Sequence, residues 1–136
     1  MDPMDISHFN DLLAAARLQA EPQRLLLVFA GASLPADASA AQRAAFEAGT
    51  SGELAPLMCV DKDPTDLASF EALVLEATGM GQAWALVFAA ALGGEQGRPP
   101  TASAVEIALQ AMVDALKAGQ LHGLIPFDRQ GEAVQL

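Results

Sequence analysis

The sequence predicts an α/β fold: a single domain over residues 1–136, in which a mixed, mostly parallel sheet of about four to five strands is flanked by helices and ends in an antiparallel hairpin. Three observations predict it. Short apolar runs, Leu25–Ala30, Leu57–Val60 and Ala85–Leu92, alternate with stretches whose apolar residues recur at helical spacing. That alternation implies right-handed crossovers between successive strands. Near the C-terminus, two apolar segments flank Asp128-Arg129-Gln130-Gly131, which starts on Asp and ends on Gly as a hairpin turn with a bulge does.

Asp5 or Ser7 is placed to cap a first helix, in which Phe9, Leu12, Leu13 and Ala16 follow the i, i+3, i+4, i+7 rule. Glu21-Pro22 ends it. Arg24–Ala30 is too continuously apolar for a half-exposed strand and suits one buried on both faces, closed by Gly31 and Pro35. Ser39 precedes an alanine-rich helix, Ala40–Ala48, with Gln42 where a capping box needs it and Gly49 just beyond. A turn at Thr50-Ser51-Gly52 leads to a second strand from Leu54 to Val60, where Pro56 hints at an edge or a bulge.

Asp63 or Thr65 is expected to cap a third helix, Asp66–Ala77, with Leu67, Phe70, Leu73, Val74 and Ala77 as its apolar stripe. Trp84–Leu92 carries no charge and is the candidate for the sheet centre. A long helix then runs from a Thr101 or Ser103 cap to about Ala118, with Val105, Ile107, Leu109, Met112, Val113 and Leu116 inward and Gly119 as its stop. Leu124–Phe127 and Ala133–Leu136 form the closing hairpin at a sheet edge.

The formal charge of −10, from 17 acids against 7 bases, repels phosphate backbones and anionic lipid headgroups. Lys and Arg are scattered singly, so nucleic acid and membrane surfaces are not expected partners. The N-terminal Met-Asp-Pro-Met-Asp has acids where a secretory signal carries bases, and a cytoplasmic location is expected. The longest uncharged apolar stretch, Gly79–Gly94, is shorter than the ~20 residues of a membrane helix. One cysteine excludes an internal disulfide and a CxxC redox pair.

The best candidate site is Cys59-Val60-Asp61-Lys62-Asp63 at the carboxyl end of the second strand, where open α/β sheets place their ligands. Alternation along a strand points Cys59 and Asp61 to one face, with Asp63 close enough to join them. Acids ahead of a helix equally serve as caps, and a lone Cys packs as a small hydrophobe. Gly93-Gly94-Glu95-Gln96-Gly97-Arg98 lies between a strand and a helix, where phosphate-cradling loops occur. It lacks the GxGxxG and GxxxxGK[ST] spacings, leaving Arg98 and nearby amides as a small-anion site at most. His8 and His122 have no metal-ligand spacing, and neither metal nor cofactor is expected. No Ser stands in a GxSxG elbow, and catalytic residues are not assigned.

Arg24–Ala32, Pro56-Leu57-Met58-Cys59-Val60-Asp61-Lys62 and Phe127-Asp128-Arg129-Gln130-Gly131 resemble, over most of the chain, a family of short uncharacterised proteobacterial proteins that often carry the label ribonucleotide reductase subunit alpha. The resemblance implies a bacterial protein and carries over no catalytic residue. Radical-based reduction of ribonucleotides needs several cysteines, so Cys59 alone excludes that activity.

The expectation is therefore a small domain without catalysis of its own, acting through protein contacts and pairing with a second copy as a homodimer across an exposed edge near the terminal hairpin. The alternative is a small-molecule binder or minor enzyme with a pocket at the carboxyl ends of the strands, using Cys59, Asp61, Asp63 and Arg98.

Overall fold

A computed structural model describes residues 6–33, 39–47, 53–81 and 83–135. Helices α1 (Phe9–Arg17), α2 (Ala40–Glu47), α3 (Phe70–Gly79) and α4 (Ala102–Lys117) alternate with strands β1 (Gln23–Ser33), β2 (Glu53–Lys62), β3 (Leu86–Gly93) and β4 (Ile125–Phe127). The first eight elements follow the expected order, but the expected final strand at Ala133 is only a bridge, and the pairing differs from the expectation. The strands lie in the order β2-β1-β3-β4 and every neighbouring pair is antiparallel, which overturns the mostly parallel sheet.

The physical reason lies in what an apolar run reports. Continuity from Leu25 to Ala30 registers burial on both faces, and helices on both sides of an antiparallel sheet bury a strand as well as a parallel sheet does. A helix in the connection makes neighbours parallel only when the chain crosses to the far end of the sheet before pairing. Here β1 with β2, and β3 with β4, pair antiparallel despite α2 and α4 between them. Strands β2 and β3 do run the same way, but β1 lies between them.

Residues of odd number in β1 and β3 face one side, where Leu25, Leu27, Phe29, Val87 and Ala89 pack with Phe9 and Leu13 of α1, Phe70 and Leu73 of α3, and Trp84. Even-numbered Leu26, Val28, Ala30 and Phe88 face α4, meeting Val105, Met112 and Leu116. The sheet centre is thus shared by β1 and β3. Ile107, expected inward, is 69% exposed because it stands about 200° around the helix from Val105. Pro56 sits on an edge strand beside a bulge: the register slips between Phe29 and Ala30, so Leu57 and Met58 both pack on the α1–α3 side.

Boundaries moved where a side chain found a different use. Strand β1 passes through Gly31 to Ser33, and β2 runs past Val60 to Lys62. Helix α3 starts after Ser69, whose hydroxyl accepts from the Ala72 amide at 3.2 Å. Asp63 closes the preceding turn instead, and Leu67 is buried ahead of the helix. Thr101 caps α4 as expected. The expectations at Asp5, Pro35, Gly49, Thr50-Ser51-Gly52 and Leu136, and the side chain of Gln42, lie outside the described residues.

The N-cap of α1 is His8, not Asp5 or Ser7: its Nδ1 accepts from the Asn10 amide, and Asp11 reaches back to the amides of Ser7 and His8. Those bonds from the His8 and Ser7 amides hold the Asp11 carboxyl below the usual carboxylate range. Ser7 and His8 also clasp the C-terminal turn. The Phe9 amide donates to the Gly131 carbonyl at 2.7 Å, the Ala133 amide to the Ser7 carbonyl at 2.8 Å, and His8 Nε2 lies 3.0 Å from the Gln130 carbonyl. The turn itself follows the expectation, with Asp128 Oδ1 accepting from the amides of Gln130 and Glu132. Its returning arm pairs with β4 through a single bridge, Phe127 to Ala133.

Gly131 is where this clasp is tightest. Its φ is +85°, and a Cβ there would lie 2.7 Å from His8 Nε2 and 2.9 Å from a Phe70 ring carbon. Gly131→Ala is expected to cost about 2 kcal/mol or more in urea denaturation, since steric conflict adds to the strained backbone. Gly123→Ala, also at positive φ but facing open space, should cost only about 1 kcal/mol. Equal losses would show that the clasp is not tightly packed.

Candidate functional site

The carboxyl ends of β2 and β3 and the start of β1 meet at one end of the sheet, where the loop from Gly94 to Thr101 feeds into α4. Asp61 pairs with Leu26, and Arg24 lies two residues back along β1 on the same, α4-facing side. Arg24 Nε donates to Asp61 Oδ2 at 2.6 Å. With the two side chains 36% and 34% exposed, water screens the pair, and it contributes roughly 0.2–1 kcal/mol to stability.

A depression of about 420 Å³ opens above this pair. Pro99 and Pro100 line it together with Val105, Glu106 and Leu109 of α4. Among the described residues no acceptor meets the terminal nitrogens of Arg24, and no donor meets Asp61 Oδ1 or the Glu106 carboxylate. The cleft therefore presents donors and acceptors side by side, with apolar walls.

Across the Pro99–Pro100 ridge lies a second depression, of about 500 Å³, which Arg98 lines with Gly93 and Gly94. Its loop is a tight turn in which Glu95 and Arg98 exchange backbone hydrogen bonds, with φ of 54° at Gln96 and 76° at Gly97. The Gly97 amide donates to the Glu21 carboxylate at 2.7 Å, and the Gly94 amide to the Pro22 carbonyl. A protein carboxylate thus takes an amide that a bound phosphate would need.

The expected site residues occupy separate surroundings. Cys59 and Asp61 share a face of β2, as alternation requires, and Cys59 is exposed. Asp63 lines a third depression, beside Arg17 and Thr65. Its carboxylate accepts from the Thr65 hydroxyl at 2.7 Å and the Thr65 amide at 2.9 Å. Arg17 clamps the same turn by donating to the carbonyls of Pro64 and Leu67. Asp61, Arg98 and Asp63 therefore line three different depressions. Among the described residues, no group of three or more His, Cys, Asp or Glu is gathered as a metal ion requires. No described helix is long and apolar enough to cross a membrane.

Sequence reasoning missed Arg24, Glu106 and Leu109 as partners of Asp61. No local spacing could have linked them, because strand pairing and the packing of α4 bring them together. Trp84, the one tryptophan, was read only as strand. It precedes β3, is buried, carries the Arg129 guanidinium 5.1 Å above its ring, and its Nε1 meets no acceptor among the described residues. No family model matches the chain, no curated protein matches it and no solved structure matches it.

The Thr65 hydroxyl, and after it the Thr65 amide, holds the Asp63 carboxyl below the usual carboxylate range. The stability this gives is complete above the ordinary Asp value and is lost as pH falls through the lowered folded value. Thr65→Val removes the larger cause and leaves the amide. The Asp63 titration, followed by carboxyl NMR, is expected to move up toward the ordinary value without reaching it. An unmoved titration would count against the hydroxyl as the cause.

Proposed function

We propose that the protein acts by protein contact, without catalysis of its own, and that its partner is a second copy of the chain meeting it along β2. The observation that carries this is the difference between the two sheet edges. Beyond β4, the segment from Gly131 to Val134 folds back on Pro126 and Phe127, and Ser7 and His8 pair with that segment in turn. Beside β4, the edge near the terminal hairpin where the sequence places self-association, the chain thus covers Pro126 and Phe127 itself.

Beyond β2, no described strand pairs. Pro56 lacks an N–H and the bulge at Leu57 interrupts the edge, so pairing is confined to the regular run Met58–Lys62. Two such runs meeting about a two-fold axis would double the sheet, with main-chain hydrogen bonds as the common attraction. Helix α3 lies alongside, tied to β2 by Lys62 Nζ on the Glu76 carboxylate at 2.6 Å. Met80, which caps the end of α3 beside Val60, is half exposed and adds apolar area next to the edge.

Light scattering is expected to give twice the chain mass of 14.1 kDa at high protein concentration. A short bifunctional maleimide should then join two chains through Cys59, the only thiol. Met80→Glu is expected to weaken the dimer about tenfold or more, by placing a charge where apolar surface is covered. A monomer at the highest concentrations reached, or a dimer that resists both cross-linking and Met80→Glu, would overturn the proposal.

A further inference from the structure

We infer that the cleft between α4 and the Arg24–Asp61 pair binds a small zwitterion, an α-amino acid with a large apolar side chain. This inference is independent of pairing along β2 and rests on the cleft alone.

The chemistry of the lining selects the ligand. Arg24 approaches Asp61 with the side of its guanidinium, through Nε, at 2.6 Å. Its terminal nitrogens, unmet by any described acceptor, keep the fork geometry that receives a carboxylate through two parallel hydrogen bonds. An isolated carboxylate would gain little here, because Asp61 already offsets the charge of Arg24 and Glu106 adds a second negative group. A ligand carrying an ammonium beside its carboxylate resolves that conflict. The ammonium meets Asp61 Oδ1 and the Glu106 carboxylate, which no described residue donates to, while the carboxylate takes the guanidinium.

The walls define the remainder of the molecule. Pro99, Pro100, Val105 and Leu109 offer apolar surface beside the charged pair. The volume of about 420 Å³ lies within the range of small-molecule sites and has room for an aromatic amino acid. Orientation follows from the polar groups and residual affinity from the apolar walls.

The test uses L-phenylalanine and its two half-molecules, phenethylamine, which lacks the carboxylate, and 3-phenylpropanoate, which lacks the ammonium. Each is titrated into the full-length protein while backbone amide NMR shifts are followed. L-Phenylalanine is expected to move the amides of Asp61, Val105 and Glu106 to saturation. Each half-molecule should bind at least about tenfold more weakly. Glu106→Gln, on the exposed face of α4, leaves the fold intact and should weaken L-phenylalanine while strengthening 3-phenylpropanoate, which the Glu106 charge repels. Arg24→Leu should abolish the preference for the carboxylate. No saturable shift at tens of millimolar L-phenylalanine, or half-molecules binding as well as the whole, would overturn the inference. Loss of binding with an intact dimer, or the reverse, tells the two proposals apart.

Discussion

From Leu25 to Ala30, β1 has no solvent on either face, so each of its side chains must be matched by apolar partners from a layer of its own. Leu25, Leu27 and Phe29 require α1, α3 and the odd-numbered face of β3. Leu26, Val28 and Ala30 require α4. At about 1.5–3 kcal/mol for each large aliphatic or aromatic side chain fully buried, no other strand contributes as much per residue. The three-layer arrangement follows from this strand, and so does the location of the cleft. Arg24 is the residue at which β1 leaves the two-sided core, and a charged group there has water on only one side to face.

The strand positions were legible because burial on two faces leaves an uninterrupted apolar run, as in β1 and β3. The helices were legible because Leu12, Phe70 and Met112 recur with their neighbours at a helical period. Pro56 announced the edge and the bulge in one residue, since both places tolerate a missing N–H. Strand direction was not legible, because periodicity records which faces are covered and not which way a neighbour runs. Of the two caps offered for α4, Thr101 or Ser103, Thr101 is the one used. Caps were missed where several polar residues compete: Ser69 caps α3 while Asp63 serves its own turn, and His8 caps α1 in place of Ser7.

The candidate site was legible only along the strand. Alternation alone placed Cys59 and Asp61 on one face of β2, and the structure has them so. The partners of Asp61 come from β1 and α4, far away in sequence, and their meeting depends on register and helix docking. The Gly-rich loop shows the opposite case. Its composition suits an anion cradle, yet the Glu21 carboxylate from the α1–β1 connection takes the Gly97 amide. Composition reports the backbone freedom of such a loop and is silent on what fills it.

The clasp between residues 7–9 and 131–133 joins segments separated by nearly the whole sequence. Closing so long a loop carries a larger entropic cost than any neighbouring strand pair, and it has little to hold until β3 and β4 are in place. If contacts of this kind are made after the rate-limiting step of folding, they are absent from its transition state. Their energy then acts almost entirely on the rate of unfolding. A chain fastened in this way would then reach its native state no sooner for having the clasp, but would stay there longer.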